Sequence, residues 1–114
     1  MAEKCVFCRI SLEEIESDIL YRDDNCFVIR DIAPRAAVHL LVIPNRHFEY
    51  LTDMTAEDYP MIGGMFKAAE EMAEREGVAD AGYRLVINQG SDAGQAVDHL
   101  HLHVLGGNPL GGMA

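Results

Sequence analysis

Apolar residues recur with two different periods along the chain, and the periods assign its elements. Residues 19–22 and 26–30 are β-like runs divided by Asp23-Asp24-Asn25, a turn-prone triplet of hairpin length. A third run, 38–43, ends at Pro44-Asn45, and the stretch 31–37 with Pro34 reads as the loop that precedes it. Residues 83–88 form a fourth run after Gly82, and residues 99–105 a fifth that stops at Gly106-Gly107. The other period is helical. Ile62, Met65, Phe66, Ala69, Met72 and Ala73 fall three and four apart, so the spacing predicts the main helix within 56–76, with one apolar face toward the core. Thr55-Ala-Glu-Asp58 matches a capping pattern and Gly77 a terminator, while Pro60 and Gly63-Gly64 weaken the first turns. A short helix is expected over residues 11–17. Five strands and one substantial helix predict an α+β fold with a mainly antiparallel sheet, with residues 1–114 forming one domain.

Composition narrows the setting. The chain is 49% hydrophobic and 25% charged, ordinary values for a globular protein. No apolar run approaches the roughly 18 residues that span a bilayer, and no signal-like segment precedes Cys5, so a cytoplasmic protein without a membrane partner is expected. Nine basic against nineteen acidic residues leave a net charge of −10, a field that repels nucleic acid and anionic membranes. A small phosphorylated ligand remains compatible, held in a pocket of opposite local sign. The three cysteines, an odd number, argue against a disulfide framework.

The chemistry gathers in His99-Leu-His101-Leu-His103-Val104. In a strand, side chains two apart share a face, which lines up the three imidazoles about 6.5–7 Å apart and sends Leu100, Leu102 and Val104 into the core. A single histidine such as His39, taken alone, is more often structural. Three at strand period beside the Gly-rich loop 90–95 call for a function. Two chemistries suit such a row: metal binding, because imidazole is a common ligand, and nucleophilic catalysis through a covalent intermediate. The flexible Gly94-Gln95 loop could offer backbone N–H donors to phosphoryl oxygens.

The sequence resembles the histidine-triad (HIT) family, whose signature His-φ-His-φ-His-φ-φ, with φ apolar, appears as His99-Leu-His101-Leu-His103-Val104-Leu105. Asp31-Ile-Ala-Pro34, His39-Leu-Leu-Val-Ile-Pro44, Tyr83-Arg-Leu-Val-Ile-Asn88 and Gly106-Gly107 extend the likeness to the nucleoside phosphoramidase branch, from Cys5 to Gly107. The resemblance implies a five-stranded antiparallel sheet with one long and one short helix, and sheets joined across a homodimer. It implies His101 as the nucleophile that forms a nucleotidyl-histidine, with His103 and His39 supporting the phosphate and its protons. Asn88, Gly94 and Gln95 would line the phosphate site, Asp31 would bind the ribose, and Phe7, Ile10, Ile15 and Ile32 would sandwich a purine base. No catalytic cofactor is expected.

Four departures stand out. Ala96 replaces a serine usual in that branch, which could cost roughly 10²–10³ in rate if its hydroxyl acted as an oxyanion donor does. Asp98 replaces an aromatic residue, and Ile29 stands where an aromatic is frequent. Residues 108–114 contain no tryptophan, unlike relatives whose C-terminal segment shapes substrate choice. The pair Cys5-x-x-Cys8 reads three ways: a redox dithiol, a zinc half-site, or two inert residues. Several bacterial HIT relatives resemble a Cys₂His₂ arrangement, which here would take Cys5, Cys8, His47 and His99 as ligands of a structural zinc. Cys26, within a strand, reads as a small buried hydrophobe. Besides the phosphoramidase reading, the sequence leaves open a dinucleoside polyphosphate hydrolase, a nucleotide-binding regulatory module with weak turnover, and a metalloenzyme.

Overall fold

The computed structural model describes residues 5–113. In chain order the elements are α1 (Val6–Ser11), β1 (Tyr21–Arg22), β2 (Cys26–Arg30), β3 (Val38–Pro44), α2 (Tyr59–Arg75), β4 (Tyr83–Val86) and β5 (Leu102–Gly106). The strands make one five-stranded sheet in the order β1-β2-β3-β5-β4, antiparallel at every junction. The α+β fold expected from the pattern is the one observed.

Strands β2 and β3 are buried on both faces, which explains why they read as continuous apolar runs. One face, carrying Val28, Leu40, Val42, Leu102 and Val104, packs on Met65, Ala68, Ala69 and Met72 of α2. The other, carrying Phe27, Ile29, Leu41 and Ile43, packs on Phe7 and Ile10 of α1. His39 and His103 share this second face with Leu41, by the period of two and the register Leu41↔His103. Cys26 is fully buried within β2, and burial pushes its thiol up to about 12.

Three expectations need correction. The short helix lies at Val6–Ser11 and not over residues 11–17, because Phe7 and Ile10, three apart, have a sheet face to cover while Leu12 is left exposed. In α2, Ala68 takes the core position expected of Phe66, which sits at the rim and is 45% exposed. The helix opens at Tyr59 with Pro60 in its first turn, and Thr55 and Asp58 close the turn ahead of it, Thr55 N–H donating to Asp58 Oδ2 (2.8 Å). Finally, β5 begins at Leu102 and not at His99, so only His103 of the row belongs to the ladder. Upstream of that point other groups replace ladder bonds. Leu100 N–H donates to the Phe48 carbonyl, and the His99 ring reaches the Pro44 carbonyl (2.9 Å). Leu100 is nevertheless buried, against Phe48 and Met54.

The Gly106-Gly107 stop has a steric cause. A Cβ on Gly106 would lie 3.1 Å from Val78 Cβ, and one on Gly107, whose φ is +89°, would lie 3.0 Å from Ala37 Cβ.

Candidate active site

The triad sits where β5 meets the covering helix α1. Phe7 sets its ring edge-on to His99 and His101, with centroids 5.7 and 5.2 Å away. The ring centroids of His101 and His103 are 5.0 Å apart. His99, His101 and His39 are buried, and His103 is half-buried.

Hydrogen bonds to backbone groups decide which nitrogen of each ring carries a proton. A carbonyl only accepts and an N–H only donates, so the partner fixes the tautomer. The His101 Nδ1–H donates to the His99 carbonyl (2.7 Å), which leaves Nε2 with its lone pair. The His99 Nε2–H donates to the Pro44 carbonyl (2.9 Å), which leaves Nδ1 bare. His39 is the reverse: the Arg35 N–H donates to its Nδ1 (3.0 Å), so its proton is on Nε2 and is given to His103 Nδ1 (2.8 Å). His103 in turn keeps its proton on Nε2. Burial holds the His39 pKa below its ordinary value and pushes that of His103 down to about 4, so both rings are neutral near pH 7.

Two sets of donors converge closely enough to be tested as metal sites. In the first, the ligand atoms of Cys5, Cys8, His47 and His99 lie within 4.8 Å of one another. Cys5 Sγ to His99 Nδ1 is 3.3 Å, Cys8 Sγ to His47 Nδ1 is 3.3 Å, and Cys8 Sγ to His99 Nδ1 is 3.6 Å. Around tetrahedral zinc an S···N edge is about 3.5 Å. The bare Nδ1 of His99, with its other nitrogen donating to a carbonyl, has the arrangement of a ligating histidine. Burial pushes the Cys8 thiol up to about 11, and neighbouring Cys5 adds to the rise. A coordinated cation reverses that sign, since bound thiols are deprotonated. The four residues fit a Cys₂His₂ zinc site.

The second set, Asp31, His39 and His103, does not fit. The Arg35 N–H at the back of His39 keeps the proton on Nε2, the nitrogen that faces Asp31 Oδ2 (3.4 Å) and His103. A nitrogen carrying hydrogen has no lone pair for a metal. This group is a proton-ordered chain.

Other expected residues divide. Ile10 and Ile15 line a cleft of about 530 Å³, together with Ile19 and the polar run 16–18. Phe7 is buried beside the triad, whereas Ile32 is fully exposed on the loop after β2. Asp31 caps that loop, its Oδ1 accepting from the Ala33 N–H (2.8 Å). Asn88 follows β4 and is half-buried. Gly94 and Gln95 form a closed turn and not a flexible loop. The Gly94 N–H donates to the Ser91 carbonyl (3.0 Å) and the Gln95 N–H to the Gly90 carbonyl (3.1 Å). The Gln95 carboxamide accepts from the Gly90 N–H (2.8 Å) and donates to the Glu49 carbonyl (2.9 Å). Ala96 and Asp98 line a second cleft of about 400 Å³ with Glu49 and His47. What the sequence reading missed are backbone partners, the Arg35 N–H and the Pro44 carbonyl. No side-chain pattern announces either.

With this geometry in place, comparison with known proteins is direct. The family described as "Scavenger mRNA decapping enzyme C-term binding" matches residues 4–112. The chain is 46% identical over 113 residues to the purine nucleoside phosphoramidase of Escherichia coli strain K12, covering 99% of this chain and 95% of that one. A HIT family hydrolase from Clostridium thermocellum superposes with a TM-score of 0.93 at 43% identity, covering 96% of each chain. The chain belongs to the histidine-triad family. It is a hydrolase of that family, with an antiparallel HIT sheet. A zinc-bound histidine triad family protein from Mycobacterium smegmatis is 32% identical, with a TM-score of 0.80 over 95% of this chain and 78% of that one.

Proposed function

We infer that the protein hydrolyses purine nucleoside 5′-phosphoramidates and related nucleotide conjugates at the α-phosphorus, through a nucleotidyl-histidine on His101. The observation that carries this reading is the His101 Nδ1–H bond to the His99 carbonyl, which puts the ring's lone pair on Nε2, the nucleophilic position. In the first step His101 Nε2 bonds to phosphorus, the P–N bond to the leaving group breaks, and the leaving nitrogen takes a proton from solvent to depart as the amine; the hydrolytic step that follows returns a proton to solvent. Water then cleaves the new P–N bond, returning neutral His101 and a nucleoside monophosphate. The His39 to His103 chain leaves a donor N–H at His103 Nε2 for a phosphoryl oxygen. Asp31 is assigned to the ribose hydroxyls, Phe7, Ile10, Ile15 and Ile32 to the base, and Asn88 with the Gly94-Gln95 turn to the phosphate.

In the same reading Cys5, Cys8, His47 and His99 hold a structural zinc, which would tie α1 to the segment before β5 without touching substrate. The protein is assigned to the cytoplasm as one 1–114 unit. It is assigned to a homodimer, to which the edge strand β4 offers a free side.

The test is trapping. With labelled adenosine 5′-phosphoramidate, rapid quenching should leave an adenylyl group on His101, and His101→Ala should lose turnover by on the order of 10⁴ or more. An unlabelled His101, or a variant as fast as wild type, would overturn the mechanism. Turnover of a dinucleoside polyphosphate alone would overturn the substrate class.

A further inference from the structure

The pair Cys5-x-x-Cys8 opens a helix. Cys5 is the N-cap of α1, with an extended backbone (φ −77°, ψ 124°), and Cys8 is the third residue within it. Side chains at these two positions face each other across the first turn, as they do in a capping box. The two sulfurs lie within 4.8 Å of one another. A disulfide needs Cβ atoms about 3.5–4.5 Å apart, somewhat closer than the roughly 5–6 Å of residues three apart inside a helix. Cys5 stands outside the helical turn and has the backbone freedom to close that gap. It is also half-buried, lining a cleft of about 400 Å³ with Glu49 and Asp98, whereas Cys26 is fully buried in β2. The two carboxylates disfavour an anionic oxidant in that cleft and leave a small neutral hydroperoxide as the fitting one.

The quartet touches the nucleophile in two ways. The His99 ring lies 3.3 Å from Cys5 Sγ, while the carbonyl of the same residue accepts the His101 Nδ1–H (2.7 Å). Phe7, between the two cysteines in the chain, sets its ring edge-on to that of His101, with centroids 5.2 Å apart. A change at the thiols therefore reaches His101 through contacts already made.

We propose that Cys5 and Cys8 are an oxidation site, which a hydroperoxide closes to a disulfide, and that closure gives up the zinc and frees the His101 ring. The proposal rests on the zinc and nucleotide readings above and adds a means of control to that site. The Cys5 thiolate attacks the peroxide, the O–O bond breaks, and hydroxide leaves as Cys5 becomes a sulfenic acid. The Cys8 thiolate then attacks the Cys5 sulfur, forming the S–S bond and expelling a second hydroxide. The sulfurs give up two electrons in all, and two protons from solvent turn both hydroxides into water. A disulfide sulfur is no longer a thiolate ligand, so only His47 and His99 remain, too few to hold tetrahedral zinc.

The experiment treats zinc-loaded protein with hydrogen peroxide. Peptide masses should show the loss of two hydrogens, confined to Cys5 and Cys8, with one zinc released to a chromogenic chelator per disulfide. In proton NMR the His101 Nδ1–H resonance, sharp while the bond to the His99 carbonyl holds, should broaden away. Turnover of adenosine 5′-phosphoramidate should fall on the order of 10²-fold, and dithiothreitol with zinc should restore every readout. Cys26→Ala should respond as wild type does. Zinc retained after oxidation, a bond to Cys26 or between chains, or an unchanged His101 resonance would each overturn the proposal, as would protein that holds no zinc before treatment. Failure of the nucleotide reading is distinguishable: untreated protein that turns over no phosphoramidate sinks that reading, while the mass, zinc and imidazole readouts still decide this one.

Discussion

Two clusters of histidines flank His101 in the sequence, one through His99 and the other through His103, and they do opposite things. In the quartet of Cys5, Cys8, His47 and His99, a carbonyl stands behind His99 and the nitrogen that faces the thiols is bare. In the Asp31, His39 and His103 group, an N–H stands behind His39 and the nitrogen that faces its partners carries the proton. Both bring ligand-type atoms within 4.8 Å. Convergence of donors alone does not define a metal site. The backbone group at the far side of each ring decides whether the inner nitrogen offers a lone pair or a hydrogen.

Separate perturbations should expose that difference. The largest effect is expected at the quartet, where Cys8→Ser or exhaustive chelation should release bound zinc. For a metal present at about a thousandfold over its Kd the lost stabilisation is about 4 kcal/mol. Metal analysis with denaturant melts checks this, and a zinc content near zero in the wild type as purified would break the comparison. Next, His39→Ala should leave zinc content unchanged and lower kcat about 10²-fold, the low end for a lost proton-ordering partner. His39→Gln, which still has an amide N–H to give to His103, should retain more of the rate. Metal loss on His39→Ala would merge the two clusters into one. A smaller effect is expected from Gly107→Ala. The positive φ and the 3.0 Å approach to Ala37 strain the loop behind His39, costing about 1–3 kcal/mol, again with zinc unchanged.

The smallest effect is on acid sensitivity. His103, at about 4 when folded, lies below its ordinary value of 6.5, and His39 is lowered as well. Between those pKa values the unfolded chain binds more protons, so stability should be level above pH 6.5 and decline as pH falls toward 4. In His39→Gln, one ring of this pair is gone and the decline should be shallower. Equal slopes in chemical melts across that range would argue that the pair is not the buried neutral unit described above.

Much of this was legible in the sequence. Cys26–Arg30 and the apolar faces of the third strand were visible because burial on both sides leaves Arg30 and His39 as their only polar residues. The quartet was legible only through the resemblance to bacterial histidine-triad proteins, since Cys5-x-x-Cys8 by itself fits a redox dithiol, a zinc half-site or two inert residues alike. Less legible was where each strand would stop, since this depends on partners far away in the chain. The run at residue 99 alternates as a strand does, yet pairing begins at Leu102, opposite Val42, because further upstream the Leu100 N–H goes to the Phe48 carbonyl and the Pro44 carbonyl to the His99 ring. The short helix was misplaced for a related reason. Glu13 adopts φ 61° and the residues around it turn, while Phe7 and Ile10 find the sheet.

The late start of β5 has a mechanical outcome. Pleated pairing anchors the third ring of the triad, but the first two hang upstream of the ladder, on a side-chain strut to Pro44 and a thiol-rich knot with α1. The His101 imidazole thus owes its stiffness to cross-bracing near the amino terminus, and only at one remove to the β-scaffold that carries its neighbour.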